Sequence, residues 1–505
     1  YEIMPSLVGS EMCIRDSKRS FYMANIEVST KKRNLIVAVM LLSAFIAILN
    51  QTLLNTALPH IMKELNTSEN TAQWLVTGFM LVNGTMIPLT AYLMDRIKTK
   101  PLYLVSMGIF LVGSIVAAIA PSFGVLMFAR VIQAIGAGII MPLMQFTLFT
   151  LFSKEKRGFA MGLAGLVIQF APAIGPTFSG LIIDNTSWRV PFIIVVGIAL
   201  VGYIFGAITL SSYNEIKKTA LDKRSVVYST LGFGLMLYAF SSAGNLGFTN
   251  PIVVISAIIG ILIVITFIRR QLSITNPLLN LKVFKSKIFT FSTITSMIVM
   301  MSMVGPALLI PLFVQNGLGL SAFMSGLVIM PGAILNGIMS VYTGKIYDKY
   351  GPRLLILIGF IILIVTTASL SFLKYDSSYT MLVVVYAIRM FAVSLLMMPI
   401  NTAGINALRN EDISHGTAIM NFGRVMAGSL GTALMVTFMS IGAKILSTGS
   451  SASSNHEILQ RQSVAAGVDL SFAIVTGLVI IGFIFSLFIK EERHYNKNST
   501  NTRDM

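Results

Sequence analysis

The sequence predicts an all-α membrane protein with fourteen transmembrane helices. Three observations predict it: too few charges for a soluble surface, fourteen apolar runs of spanning length, and a one-sided distribution of Lys and Arg. Of 505 residues, 55% are hydrophobic and 11% charged, and the mean hydropathy is +0.80. A water-soluble surface of this size needs far more charge, so the chain belongs in lipid. The net charge of +17 does not point to nucleic acid, because Lys and Arg fall in short runs between apolar segments and not on one stripe or domain.

Crossing a hydrocarbon core of about 30 Å takes roughly 17 to 25 apolar residues. Runs of that kind occupy approximately 34–58, 72–94, 102–120, 125–147, 159–183, 190–210 and 226–242. They continue at 251–268, 288–313, 322–342, 354–372, 381–405, 417–441 and 470–489. The third, seventh and eighth have the least sharply defined ends. With both termini on one side, the segments on that side hold 28 Lys and Arg from Lys18 onward, and the opposite loops hold five: Lys63, Arg189, Lys374, Lys444 and Arg461. Positive residues stay cytoplasmic, so both termini are expected inside. Trp74 and Trp188 fall at the outer interface, where an indole ring prefers to sit. The longest outer segment, roughly 442–469 with its SSASSN stretch, reads as a flexible loop.

Several classes of function are excluded. No G-x-x-x-x-G-K-[ST] loop occurs, so direct ATP drive is not expected. His60, His415, His456 and His494 lie in loops or at span ends, no Cys/His cluster has metal-ligand spacing, and no Ser/His/Asp arrangement assembles near one face. Neither metal nor cofactor is expected. The single cysteine, Cys13, lies in Ser6 to Ser17 (SLVGSEMCIRDS), which looks like an in-frame translation of a sequencing adapter, a disordered native tail being the alternative. Residues 1–17 are therefore set aside, with Met23 as the expected start.

The chain carries a weak internal repeat. TAYLMDRIKTK (Thr90 to Lys100) follows the second span and TGKIYDKYGPR (Thr343 to Arg353) follows the tenth, each a short basic loop with an early Asp. Two spans later in each half an Arg enters the membrane ahead of a Met-Pro pair: Arg130 with Met141-Pro142, Arg389 with Met398-Pro399. Two-fold parallel repeats mark transporters built from two helical bundles, convergence among apolar helices being the alternative.

In the fifth span, GLAGLVIQFAPAIGPTFSGLIID sets Pro172 and Pro176 four apart with Gly175 and Gly180. Prolines at that spacing leave carbonyls without helical partners and small residues admit a neighbouring helix, so the segment can bend and pack. The pattern resembles the antiporter motif of the major facilitator superfamily, with Ala171 and Ser179 in place of two glycines; a kinked packing helix is the plainer reading. ARVIQAIGAGIIMPL in the fourth span resembles that superfamily's Arg-x-x-Gln-Gly motif, with Arg130 and Gln133 one turn apart and Ala134 replacing its Gly. The resemblance implies a proton-coupling role for Arg130; a snorkelling anchor near the outer end is the alternative. TGKIYDKYGPR resembles the superfamily's loop motif, with Gly344, Asp348, Gly351 and Arg353, while the first copy keeps only Asp95 and Arg96. These Asp residues are expected to form a charge-relay latch, capping a neighbouring helix end or pairing with an Arg in one state and releasing it in the other, or else to be solvated charges.

ILNQTLLNTALPHIMKEL, TAQWLVTGFMLVNG, SWRVPF and MNFGRVMAGSLGTA resemble the fourteen-span drug/proton antiporter branch, nearest its lincomycin-resistance-type exporters, over about Lys31 to Lys490. The resemblance implies a major facilitator fold. Its expected parts are a cytoplasmic tail at 18–33, a six-helix bundle at 34–212, a linker with two extra helices at 213–287, a second bundle at 288–490 and a tail at 491–505. It implies secondary active export of small amphiphilic drugs in exchange for protons from the bacterial plasma membrane. The expected partners are drugs, protons and the lipid bilayer, with no nucleic acid and a monomeric state. An importer or metabolite exporter on the same fold, or a transport-dead sensor, stays open, since a fold alone does not choose.

One departure matters. Many members of that branch carry Asp in the first span where this chain has Asn50, and no acidic residue falls in the middle of a predicted span. Candidate substrate contacts are the polar groups Asn50, Gln51 and Asn55 in the first span and Asn421 and Arg424 in the thirteenth, since amides are costly in hydrocarbon; helix-to-helix hydrogen bonding is the alternative for each. The thirty methionines, Met300, Met301, Met303, Met397 and Met398 among them, offer a soft wall able to repack, or plain packing.

Overall fold

The computed structural model of the protein describes residues 29–212, 216, 221–374, 376–449 and 456–489. They form fourteen long helices: α1 (Thr30–Glu64), α2 (Glu69–Arg96), α3 (Thr99–Ala118), α4 (Phe123–Leu151), α5 (Arg157–Asn185), α6 (Arg189–Thr209), α7 (Lys223–Leu246), α8 (Pro251–Ser273), α9 (Lys287–Leu312), α10 (Ala322–Tyr350), α11 (Pro352–Ser369), α12 (Tyr379–Asn406), α13 (Ile413–Gly449) and α14 (His456–Ser486). All but α5, which contains side chains outside the described set, are long and apolar enough to cross a membrane.

Local chemistry marks the boundaries. Ser68, Ser122, Ser286 and Ser321 each accept a hydrogen bond from a backbone N–H in the first turn of α2, α4, α9 and α10. Asn250 caps α8 with Pro251 at its first position, where the missing N–H costs nothing. Gly351, at φ +81°, takes the left-handed conformation that ends α10, and Pro352 then opens α11.

Packing follows a two-fold pattern. In the first half α3 packs on α4, α4 on α2, α1 on α5, and α6 on α1 and α3. The same contacts recur eight helices later as α11 on α12, α12 on α10, α9 on α13, and α14 on α9 and α11. The halves meet along two seams, α5 with α10 and α2 with α13, which the same operation exchanges. The internal repeat is therefore carried by the tertiary contacts and not by the loop motifs alone.

α7 and α8 pack on each other, and of the two it is α7 that packs on the bundles among the described residues, against α2 and α13. Phe233 of α7 meets Phe422 at 4.2 Å between ring centroids, and Tyr238 stacks on Trp74 at 5.9 Å. α8 buries Val253, Gly260 and Phe267, a stripe of sevenfold spacing, and exposes Ile255, Ile258 and Leu262 on its other faces. Arg270 on α8 donates to Asp222 at 2.6 and 2.9 Å, tying its end to the start of α7; that hydrogen bond holds the Asp222 carboxyl well below the usual range.

Two sequence expectations are corrected. The outer segment 442–469 is mostly helical: α13 continues to Gly449 and α14 begins at His456, and 450–455, where SSASSN falls, lies outside the described residues. The stretch lacks a spanning apolar run but contains no proline, and Gly467 lets α14 approach α13 so closely that a Cβ there would stand 2.2 Å from the Met439 carbonyl oxygen. Trp188 is not an interfacial anchor. It is 1% exposed and donates through Nε1 to Glu64 at 2.7 Å, beside Arg189, whose hydrogen bond to Glu64 holds that carboxyl below its usual range. Trp74, 43% exposed, keeps a position open to its surroundings.

Candidate functional site

With an even number of crossings, α1 begins and α14 ends on the same face, the one whose loops carry most of the Lys and Arg; it is called here the basic face. Polar groups inside the bundle form clusters at three depths.

The first lies toward the opposite face. Arg130 stands seven residues into α4, about 10 Å along its axis. It is fully buried, so it does not snorkel. Its Nε donates to the Leu75 carbonyl of α2 at 3.3 Å, its Nη1 donates to Gln133 Oε1 at 2.9 Å, and the guanidinium lies 4.1 Å from the Phe79 ring centroid. Gln133 Oε1 also accepts from Asn50 Nδ2 at 3.2 Å, and Gln133 Nε2 donates to Ser114 Oγ at 3.0 Å. One amide thus ties α1, α3 and α4 to a guanidinium. No carboxylate takes part among the described residues, and Arg130 Nη2 has no hydrogen-bond partner there. The second half repeats the idea: Arg389, also fully buried, donates to Thr367 Oγ1 of α11 at 3.3 Å and to the Ser302 carbonyl of α9.

The antiporter-type helix packs on the same region. A Cβ at Gly175 would stand 2.1 Å from Thr52 Oγ1, and Ser179 Oγ donates to the Leu53 carbonyl at 3.0 Å, so α5 and α1 touch through small residues. Pro172 is exposed. The side chains of Pro176, Gly180 and Asn55 are outside the described set, and Gln51 is half-buried without a hydrogen bond among described residues.

The second cluster is deeper. Arg424 lies eleven residues into α13, about 16 Å from the basic face. It donates to Asn421 Oδ1, and Asn421 Nδ2 donates to Gln145 Oε1 of α4 at 2.7 Å, joining the two halves. Nearby cross-half contact comes from Gln169 of α5, whose Nε2 donates to Met303 Sδ at 3.6 Å.

The third cluster closes the basic face. Asp348, at the end of α10, accepts from the backbone N–H of Gly158 and of Phe159, both at 2.8 Å, and so caps the start of α5 in the other half. Gly344 permits this: a Cβ there would stand 2.2 Å from the Gly158 carbonyl oxygen. Across the pseudo-two-fold, Asp95 at the end of α2 accepts from Ser414 Oγ at 2.6 Å and faces His415 Nε2 at 3.4 Å, at the start of α13. Arg157 adds a cross-half bond to Asn406 Oδ1 at 3.0 Å. Arg96 is exposed at the end of α2. Arg353 is exposed and lies apart from the Asp348 cap, lining a cleft of about 270 Å³ with Ile356, Leu357 and the end of α14.

The sequence profile of the Major Facilitator Superfamily matches residues 40–432. The chain belongs to that superfamily. This major facilitator protein is a multi-pass membrane transporter and not an enzyme. It is 42% identical over 467 residues to the MFS-type transporter YcnB of Bacillus subtilis, covering 92% of this chain and 97% of that one. It is 40% identical over 453 residues to the lincomycin resistance protein LmrB of the same organism, covering 89% and 94%. The crystal structure of the human organic anion transporter MFSD10 shares its fold at a TM-score of 0.62 and 14% identity, over 90% of this chain and 99% of that one.

Within this major facilitator fold, the sequence did not single out Ser114, Phe79, Gln145, Ser414 or Asn406 as partners. Each is a common residue in an apolar helix or short loop, and only tertiary packing assigns it a role. The usable signal for Gln145 was an amide in a spanning run, the reasoning already applied to Asn50.

Proposed function

We propose that the protein is a secondary active multidrug exporter that moves small amphiphilic drugs, lincosamide-like compounds among them, out of the bacterial cytoplasm in exchange for protons by alternating access. The observation that carries this reading is the match to the lincomycin resistance protein LmrB across 89% of the chain. The buried Arg130, Gln133 and Asn50 cluster supports coupling, because a guanidinium met only by neutral oxygens and a ring responds to any charge or water that enters beside it. The Asp348 and Asp95 contacts act as latches that hold the basic face shut in one state and release it in the other. The transporter works as a monomer in the plasma membrane with both termini cytoplasmic, and the proton gradient is its energy source.

Orientation has a direct check. In a chain carrying Cys13→Ser, a cysteine at Ser453, which lies outside the described residues, reacts with an impermeant thiol reagent added to intact cells, while one at the exposed Ser153 does not. The reverse pattern overturns the topology.

The test of function is energised efflux of lincomycin, a monocationic dye and a rigid dication from the same cells, with and without a protonophore. A dication in a low-dielectric site needs a carboxylate to offset its desolvation, and the two clusters within the spans hold amides and guanidiniums at the depths where one would serve, the carboxylates Asp348 and Asp95 lying at the basic face. Lincomycin is exported and the dication is not. Strong protonophore-sensitive export of the dication removes the charge argument, and failure to export any of the three removes the exporter reading.

A further inference from the structure

The hydrogen bonds around Arg424 have a fixed direction. A guanidinium only donates, so Asn421 must turn its Oδ1 toward Arg424. Its Nδ2 is then the atom that donates to Gln145, and Gln145 must answer with Oε1. Neither amide can be flipped without placing donor against donor. The remaining Gln145 Nε2 is consequently a donor, it is buried in a residue only 3% exposed, and it has no partner among the described residues.

At the other end of the chain, Arg424 is 7% exposed and its one hydrogen bond to a described residue is to Asn421; no described carboxylate pairs with it. The cluster is rich in donors: Asn421 Nδ2 also donates to the Thr417 carbonyl at 2.8 Å, while Gln145 Nε2 has no acceptor among the described residues and the guanidinium has only Asn421 Oδ1. An unmatched charge and an unmatched donor at this depth are costly, and the residues that hold them come from both halves, α4 and α13. A ligand bound there would bridge the moving parts.

We propose that Arg424 and Gln145 form a receptor for an oxyanion, the carboxylate of a lipophilic compound. The guanidinium supplies the charge and a planar fork, Gln145 Nε2 supplies a second donor, and Asn421 holds both in place. The proposal deepens the exporter reading and rests on its assignment of these groups to substrate contact. It predicts a class of cargo, lipophilic carboxylates, that the avoidance of dications does not by itself imply.

The probe is pyrenebutyrate, a fluorescent lipophilic carboxylate, set against its methyl ester, which has the same ring and chain without the charge. Fluorescence anisotropy is read on the full chain in lipid nanodiscs. The acid binds about tenfold or more tightly than the ester. Arg424→Gln brings the two affinities to within about twofold of each other, and Gln145→Leu cuts the preference by roughly threefold to tenfold while ester binding is unchanged. Ester binding reports folding of each variant, and where Arg424→Gln loses it, Gln145→Leu decides. Equal binding of acid and ester by the unmodified protein, or a preference that survives substitution, overturns the receptor. Lincomycin efflux from proteoliposomes of the same preparation separates the two ideas: export without acid preference sinks the receptor alone, and acid preference without export supports the receptor and sinks the exporter reading.

Discussion

Arg130→Ala inserts normally and no longer exports lincomycin uphill. The substitution removes the donor that meets both the Leu75 carbonyl and Gln133 Oε1, and it leaves Gln133 holding only Asn50 and Ser114. Each hydrogen bond lost from the charged guanidinium costs about 1.5–3 kcal/mol, which lowers the coupled arrangement by roughly tenfold to a hundredfold or more. Arg130→Lys recovers little, because one ammonium cannot reach a carbonyl and an amide in different directions while staying over the Phe79 ring. The measurement is protonophore-sensitive efflux, with the amount of inserted protein fixed by gel filtration in detergent. Unaltered efflux in the Ala variant reduces Arg130 to a packing residue.

Gly344→Val is expected to act at the opposite face with comparable force. Even a single Cβ at that position meets the Gly158 carbonyl at 2.2 Å, and this is backbone, which cannot swing aside. α5 and α10 must separate there, and Asp348 loses the N–H groups of Gly158 and Phe159. Transport falls at least about tenfold, since charge-assisted bonds of this kind are among the stronger ones a protein makes. A cysteine at Ser340, 2% exposed at the seam, becomes reactive to a permeant thiol reagent in this background and stays protected in the parent. Asp348→Asn, which keeps the shape and removes the charge, gives a milder defect with the same sign. Normal labelling together with normal efflux in the Val variant removes the latch.

The fold was legible because the bilayer admits few solutions. Runs of spanning length and a lopsided count of Lys and Arg are strong signals, and each of the fourteen runs corresponds to a helix. The repeated Asp loops were legible too, since a capping carboxylate followed by Gly351 and Pro352 is a local pattern. Hydropathy failed where a helix outruns its apolar core, as α13 and α14 do around Gly442 and Gly467. It also misread Trp188, because an indole at an interface and an indole buried on Glu64 look alike in one dimension. Arg130 and Gln133 were visible as a one-turn pair, but their reach to Leu75 and Ser114 depends on how α2 and α3 pack, which no spacing along α4 encodes.

The placement of α7 makes the molecule lopsided in the plane of the bilayer. The two halves meet along one seam on either flank. Here α7 lies over the flank at α2 and α13, where Leu237 fills the hollow beside Gly84 and Phe233 presses on Phe422. The flank at α5 and α10 has no such cover among the described residues, and its glycines at 158, 162, 165 and 344 are buried where the two helices close on each other and on α12. Of the two seams between the halves, one is thus buttressed by an added helix and the other is held by the close approach of α5 and α10 alone among the described residues.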